Sequence, residues 1–455
     1  MSPERRAVWG WALYDWANSA FATTVMAGFF PVFFKQYWAA GVDAAASTAM
    51  LGFTNAAAGA LTAALAPVLG AAADVSTARK RFLAAFAYLG VASTAALYFI
   101  GEGGWPEAAF AYAAGILGFA GANVFYDALL PAVAPPGRLD AVSSLGFALG
   151  YLGGGLLFLA NAVMTLYPAA FGLAGPEAAV RLSFLTVALW WGGFTGFLLR
   201  WVPEPRGSRL SRGARATAAA GFRRLAATFR NIRGHRPVLL FLAAYWCYID
   251  GVDTIIRMAV DYGLSLGFAA TDLITALLVV QFVGFPAALA FGRLGTRLGP
   301  RRAIFLGLGA YMGATLWGAF LEDRREFYAL AVLIGLVQGG VQALSRSLYA
   351  RLVPEGREAE FFGFYNMIGK FAAILGPALM GAVGLAASRM LLPDSPSGEE
   401  MRQAGRLAAR LSIASILLLF AAGAGLLYFV REPDPPRGGG AGGSRPASAP
   451  RSEAA

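Results

Sequence analysis

Trp11-Ala12-Leu13-Tyr14-Asp15-Trp16-Ala17-Asn18-Ser19 and Trp246-Cys247-Tyr248-Ile249-Asp250-Gly251-Val252-Asp253-Thr254 carry the same polar pattern, 235 residues apart. Both lie inside long apolar segments. Ionisable residues inside bilayer spans are rare and generally functional, and a pair of similar halves is a common transporter design. The repeat therefore points to a chain of two related halves that moves a solute past buried charge.

Composition agrees. The 455 residues are 58% hydrophobic and 14% charged, where soluble proteins average about 25% charged. Mean hydropathy is +0.58. The 57 glycines suit close helix contact in lipid. The net charge of +11 does not read as nucleic-acid binding, because the bases fall between apolar segments rather than on one exposed motif. Nine arginines lie between Arg206 and Arg236 without an intervening acid, the pattern of a cytoplasmic loop near anionic lipid. A single cysteine, Cys247, excludes an intrachain disulfide and a CxxC metal site, and the lone His235 reads as a solvated loop residue. No metal or cofactor is implied. Neither a Walker loop, an HExxH pair nor a Gly-x-Ser-x-Gly elbow is present, so ATP-driven and enzymatic readings have no support.

About 20 apolar residues cross the hydrocarbon core, and helices satisfy their own backbone there. Twelve such stretches are expected, at 10–34, 48–72, 82–101, 107–133, 141–167 and 180–201, then 238–260, 270–294, 303–320, 327–351, 361–387 and 407–430. The first reads as a retained span, not a cleaved signal. The fold class expected is an all-α integral membrane protein. Its six-helix halves would be 1–202 and 237–432, joined by the basic linker 203–236 and followed by a disordered tail, 433–455. Within the linker, 214–230 fits either a surface helix or a plain positive tether. Arg5, Arg79-Lys80-Arg81, Arg138, the linker, Arg293–Arg302, Arg351 and Arg357 share one side. The positive-inside rule then puts both termini in the cytoplasm, for a multi-pass inner (plasma) membrane protein.

The repeat extends further. Asn123 and Asp127 precede Pro135-Pro136-Gly137-Arg138, and Gln342 and Arg346 precede Pro354-Glu355-Gly356-Arg357, 219 residues on. Gly146-Phe147 and Gly363-Phe364 open the fifth and eleventh stretches. Equivalent positions line opposite walls of one path, so Asp127 and Arg346 suit either a zwitterionic substrate or a closing salt bridge. Gln338, Gln342 and Arg346 form one polar stripe at four-residue spacing. Asp15 and Asn18 share a face, which must look into the bundle. It reads as substrate or proton contact, or as a structural pair. Asp253 and Arg257 are placed to pair along one helix, leaving Asp250 as the better proton or cation contact. Asn366 and Lys370 lie one turn apart in the eleventh stretch, and Gln281 fits an interhelical hydrogen bond.

Gly70-Ala-Ala-Ala-Asp74-Val-Ser-Thr-Ala-Arg79-Lys80 resembles the Gly-x-x-x-Asp-Arg-x-Gly-Arg-Arg signature of the major facilitator superfamily, with Val75 and Thr77 in place of the usual Arg and Gly. Gly292–Arg302 repeats its outline, with Thr296 at the Asp74 position. Asp15-Trp-Ala-Asn18-Ser19-Ala20-Phe21, Asn123-Val-Phe-Tyr126-Asp127 and Tyr248-Ile-Asp250-Gly251 resemble the bacterial relatives of the vacuolar amino-acid effluxers of fungal autophagy. The resemblance implies twelve helices in two six-helix bundles, alternating access, and a loop at Asp74, Arg79 and Lys80 that closes the inner side. Asp74 would pair with a base of its own loop or of the eleventh span. Amino acids are the implied substrates, with protons as a candidate coupling ion. Sugars, organic cations or lysolipids on the same fold are the alternatives, and a non-transporting receptor is a further one. A monomer is sufficient to enclose such a path.

Overall fold

Apolar length, not local propensity, decides this architecture: a backbone that crosses lipid must close its hydrogen bonds within helices. The computed structural model describes residues 1–76, 78–205, 232–265, 269–321, 323–371, 375–391 and 398–431, with isolated positions between 223 and 230. Described secondary structure is entirely helical. Before the linker come α1 (Pro3–Trp38), α2 (Ala44–Ser76), α3 (Arg79–Ala96), α4 (Trp105–Ala128), α5 (Leu139–Leu166) and α6 (Pro176–Trp201). After it come α7 (Arg236–Ser265), α8 (Ala270–Leu298), α9 (Pro300–Gly318), α10 (Arg324–Leu352), α11 (Glu358–Phe371), α12 (Leu375–Leu391), α13 (Gly398–Ala414) and α14 (Ile416–Tyr428).

Among the described residues, ten helices are long and apolar enough to cross a membrane. Of the twelve expected stretches, 303–320 falls on α9, whose Arg301 and Arg302 sit in its first turn. The stretch 361–387 is divided between α11 and α12, and residues 372–374 lie outside the described residues. Most of the expected surface helix 214–230, and the tail from residue 433, lie outside them as well.

Helix ends follow simple chemistry. The Ser2 hydroxyl accepts from the Arg5 amide at 3.3 Å, and Pro3 opens α1 where no N–H is needed. The Asp323 carboxylate accepts from the Glu326 amide at 2.8 Å to start α10. Gly299, at φ 86°, makes the tight turn from α8 into α9. The expected first span, 10–34, is extended at both ends. Arg5 and Arg6 lower the hydropathy of its start, and Lys35 lies in its last turn, where a long side chain reaches the interface. Two π-helical segments, Phe21–Phe29 and Phe34–Trp38, widen its outer half.

Aromatic stacking fills the core of the first half, as in Trp16 on Trp190 at 5.3 Å and Phe30 on Tyr112 at 3.7 Å. Between the halves, α2 packs on α11 and α5 packs on α8. Both contacts depend on glycine. A Cβ at Gly363 would stand 2.6 Å from the Ala66 carbonyl oxygen, and one at Gly292 2.7 Å from Ser144 Cβ. A Cβ at Gly70 would overlap the Ala359 carbonyl outright. Alternating helix direction brings residues 76, 78–79, 138–139, 201–205, 236, 298–302 and 352–358 to one end, hereafter the basic end.

Gly70→Ala is expected to lower the thermal midpoint of the purified protein, because overpacking by about 1–3 kcal/mol exceeds the gain in helix propensity. Gly52→Ala, where the added methyl meets open space, is expected to leave it unchanged or slightly higher. Equal midpoints for the two variants would disprove the close approach of α2 and α11.

Candidate functional site

Arg346, on α10, is the centre of the site. It is 3% exposed, so its charge is withdrawn from both water and lipid and must be paired within the protein. Its hydrogen-bond partners described next come from the other half. Nη1 donates to Asp127 Oδ1 at 3.2 Å and Nη2 to Asp15 Oδ2 at 3.1 Å. Nε donates to the Ser143 hydroxyl at 3.0 Å, and Nη2 to the Ser143 carbonyl at 2.9 Å. Three rings surround the guanidinium carbon: Phe147 at 4.3 Å, Trp11 at 4.7 Å and Tyr126 at 5.3 Å. Delocalised and weakly hydrated, a guanidinium suits such a mixed carboxylate and aromatic setting better than an ammonium does.

The setting is itself held in place. The Tyr126 hydroxyl donates to Asp15 Oδ2 at 2.7 Å, and Trp11 Nε1 donates to the Tyr126 carbonyl at 2.9 Å. Trp11 and Tyr126 stack at 4.5 Å. The second Asp127 oxygen accepts from Asn366 Nδ2 at 3.0 Å. Asn18 donates to Asn123 at 2.6 Å alongside. Gly146 makes room, since a Cβ there would stand 2.6 Å from Asp15 Oδ2 and 2.9 Å from the Tyr126 hydroxyl. Two carboxylates face one guanidinium. Six residues separate Arg346 from the end of α10, which puts the cluster about 9 Å inside the basic end.

A second layer lies at the rim of that end. Asp74 pairs with Arg79 at 2.7 Å and also accepts from the Ala359 and Glu360 amides, at 3.1 and 2.9 Å. A carboxylate of the first half thus caps a helix of the second, where the helix dipole favours it. Of the two partners expected for Asp74, its own loop supplies the base, while α11 supplies backbone amides. Arg79 also reaches Glu358 at 2.5 Å. Arg351 pairs with Asp140 at 2.6 Å, and Ser347 donates to the same carboxylate at 2.6 Å. Lys80 Nζ donates to the Val202 carbonyl at 2.6 Å, while its amide donates to the Glu204 carboxylate at 3.2 Å. Burial pushes the Glu204 carboxyl up, and the amides of Lys80 and Arg79 oppose the shift.

Of the residues singled out in the sequence, Asp15, Asn18, Asn123, Asp127, Arg346 and Asn366 therefore come together, and Asp74, Arg79 and Lys80 form the rim. Asp250 is elsewhere. Its carboxylate accepts from the Leu375 amide at 3.0 Å and the Gly376 amide at 2.8 Å, and Thr254 donates to it at 3.3 Å. It caps the first turn of α12. Asp253 is half-buried one turn further on, and the side chains of Arg257 and Lys370 lie outside the described residues. Gln338 and Gln342 precede Arg346 along α10, and Gln338 Oε1 is buried without a hydrogen-bond partner among the described residues. Gln281 donates to Thr23 across the halves at 2.8 Å. His235 is half-buried, edge-on to Phe361 at 5.1 Å, rather than a solvated loop residue.

Four residues with contacts at this end were not legible as such. Ser143, Asp140, Glu358 and Glu204 lie at helix ends or in loops, where a polar residue normally meets water. The pairing signal for Asp140 was the opposite charge of Arg351 in the last turn of α10, the helix that also carries Arg346.

Residues 39–138 and 136–387 match the family described as Vacuole effluxer Atg22 like. The chain is 40% identical over 424 residues to the uncharacterized MFS-type transporter YxiO of Bacillus subtilis, covering 93% of this chain and 94% of the relative. Autophagy-related protein 22 of Yarrowia lipolytica is 26% identical over 270 residues, covering 53% of this chain and 45% of the fungal protein. The chain thus spans less than half the length of that relative. Among solved structures, the proton:xylose symporter XylE superposes with a TM-score of 0.66 at 16% identity, covering 94% of this chain and 95% of that one. The human organic anion transporter MFSD10 gives 0.62 at 15% identity, covering 94% and 100%. At such identities the likeness is one of fold: an all-α, multi-pass membrane protein of major facilitator type. This chain belongs to the Atg22-like vacuole effluxer family, and is a secondary transporter of the major facilitator superfamily rather than an enzyme.

Proposed function

We propose that the protein carries small polar solutes, amino acids first among them, by alternating access. Twelve helices in two bundles, 1–202 and 237–432, rock about the Arg346 cluster. The linker 203–236 lies against anionic lipid on the cytoplasmic face, both termini are cytoplasmic, and the plasma membrane is the site of action. One copy suffices. The observation that carries this reading is a single buried cation of one half held by two carboxylates of the other. It gives the protein a two-state element whose breakage must accompany opening of the basic end. Among the described residues, four ion pairs cross between the halves, from Arg79, Arg351 and twice from Arg346, and all four lie toward that end. The conformation is thus closed at the basic end.

The resemblance of the span motifs to the vacuolar amino-acid effluxers motivates the amino-acid assignment, and the cluster supplies the chemistry. Two carboxylates suit an ammonium group, and a released Arg346 suits a carboxylate through its planar fork of donors. A carboxylate in excess over the guanidinium also makes protons a candidate coupling ion, with Asp15 and Asp127 as the exchanging groups. Asp250, capping α12, is proposed to hold the outer part of the path in shape.

Two measurements test this reading. The first is a double-mutant cycle on Asp140→Ala and Arg351→Ala, read from thermal or denaturant unfolding. The coupling expected is about 1–2 kcal/mol. A coupling of zero would mean that the rim pair does not hold the halves together. The second is counterflow into liposomes with a panel of radiolabelled amino acids, wild type beside Arg346→Ala. Saturable exchange in the wild type, lost in the variant, is the expected result. A folded wild-type protein that exchanges none of the panel sinks the amino-acid assignment while leaving the fold intact.

A further inference from the structure

The receptor for Arg346 is built wholly from the first half, apart from Asn366 at its edge. Asp15 and Trp11 come from α1, Asp127 and Tyr126 from α4, and Ser143 and Phe147 from α5. These helices also fix one another, through the Tyr126–Asp15 and Trp11–Tyr126 hydrogen bonds and the stacked Trp11 and Tyr126 rings. The receptor is therefore preformed, and its occupant is a side chain of the other half. Resting on the rocking mechanism proposed above, opening the basic end withdraws the occupant and leaves the receptor behind.

We propose that the vacated receptor is the substrate site, and that the group it binds is an organic cationic head, guanidinium or alkylammonium. Arg346 is then a built-in substitute for the substrate. Three features point to this class. The receptor lies in a poorly hydrated interior, where two carboxylates cannot be left without a cation. Three ring faces stand at 4.3–5.3 Å from the present cation, a distance that favours a weakly hydrated organic cation. A hydroxyl and a carbonyl of Ser143 accept N–H groups in the plane of the guanidinium's donors. A sodium ion would use the carboxylates but not the rings. A neutral sugar would use neither.

The direct test empties the receptor. Arg346→Ala, full-length and purified, is titrated with methylguanidinium chloride and, at matched ionic strength, with sodium chloride, following the thermal midpoint. The midpoint is expected to rise saturably, with half-effect at about tenfold lower concentration for methylguanidinium than for sodium. The wild type, whose own arginine fills the site, should show no saturable rise. Equal responses of the variant to both salts overturn the proposal, because a bare acidic cluster would behave that way.

Should Arg346→Ala fail to fold, wild-type proteoliposomes decide the matter. Agmatine and arginine are compared with leucine and glutamate as counterflow partners. Exchange of agmatine, which lacks a carboxylate, supports the cation site. If leucine exchanges and agmatine neither exchanges nor competes, the amino-acid carrier stands and the cation site falls. If agmatine exchanges and no amino acid does, the cation site stands and the amino-acid assignment falls. A folded protein that exchanges none of the four compounds refutes both.

Discussion

A guanidinium cannot sit unpaired at membrane depth, and the arrangement of both halves follows from that constraint at Arg346. The side chain belongs to α10, yet its carboxylates, its hydroxyl and its rings are on α1, α4 and α5. Neutralising this charge and closing the basic end are therefore one event. The rim contacts are of a different kind. The side chains of Arg351 and Glu358 are 22% and 15% exposed, so water can take over their hydrogen bonds as the halves part. Exposed pairs are worth little for this reason, whereas a buried one is costly to break by removing one partner. On the rocking mechanism proposed, the deep cluster, not the more numerous rim contacts, sets how readily the end opens.

The sequence repeat also shows how two similar halves come to do different work. Asp15 and Asp250 occupy equivalent positions, and each faces a glycine: a Cβ at Gly146 would stand 2.6 Å from Asp15, and one at Gly376 would stand 2.8 Å from Asp250. Gly146 lies within the continuous helix α5, so its amide is already used and Asp15 remains available to Tyr126 and Arg346. Gly376 lies in the first turn of α12, where its amide has no helical acceptor and takes Asp250 instead. One carboxylate joins the Arg346 cluster and the other caps a helix, through the state of the helix opposite rather than through their own identity. Position 127 carries an acid and its repeat, position 346, an arginine, so the first half is the receptor and the second provides the cation.

Where the sequence was informative, the reason was a long-range regularity. Apolar length located the helices, and the constant 219-residue offset placed Asp127 opposite Arg346, which the 3.2 Å contact matches. That Asp15 joins the same guanidinium was not readable. Its own repeat partner is Asp250, so the offset directs attention to the wrong residue, and only packing of α1 against α4 and α5 brings it in. Asp140 and Glu204 were likewise illegible, because hydropathy treats a charge at a helix end as solvated, while both are held in contacts at the rim. For Asp74 the sequence left two partners open. The structure uses both elements, since a carboxylate can accept from Arg79 with one oxygen and still cap the amides of α11.

These contacts bear on how such a protein avoids leaking. A ligand shifts a conformational equilibrium only by the difference in its affinity for the two states. The closed basic end already has a cation in the receptor, so a solute gains there only what Arg346 gives up. On the opening proposed above, the carboxylates of Asp15 and Asp127 lose the guanidinium that compensates them, and every favourable contact with a cationic head is net gain. Such a solute therefore stabilises the open form over the closed one, while a neutral solute of the same size does not. Arg346 supplies the same service to the closed form at no dependence on concentration. On that proposal, the competition between a tethered cation and a free one adds to the rim pairs of Arg79 and Arg351 in keeping the unloaded carrier shut.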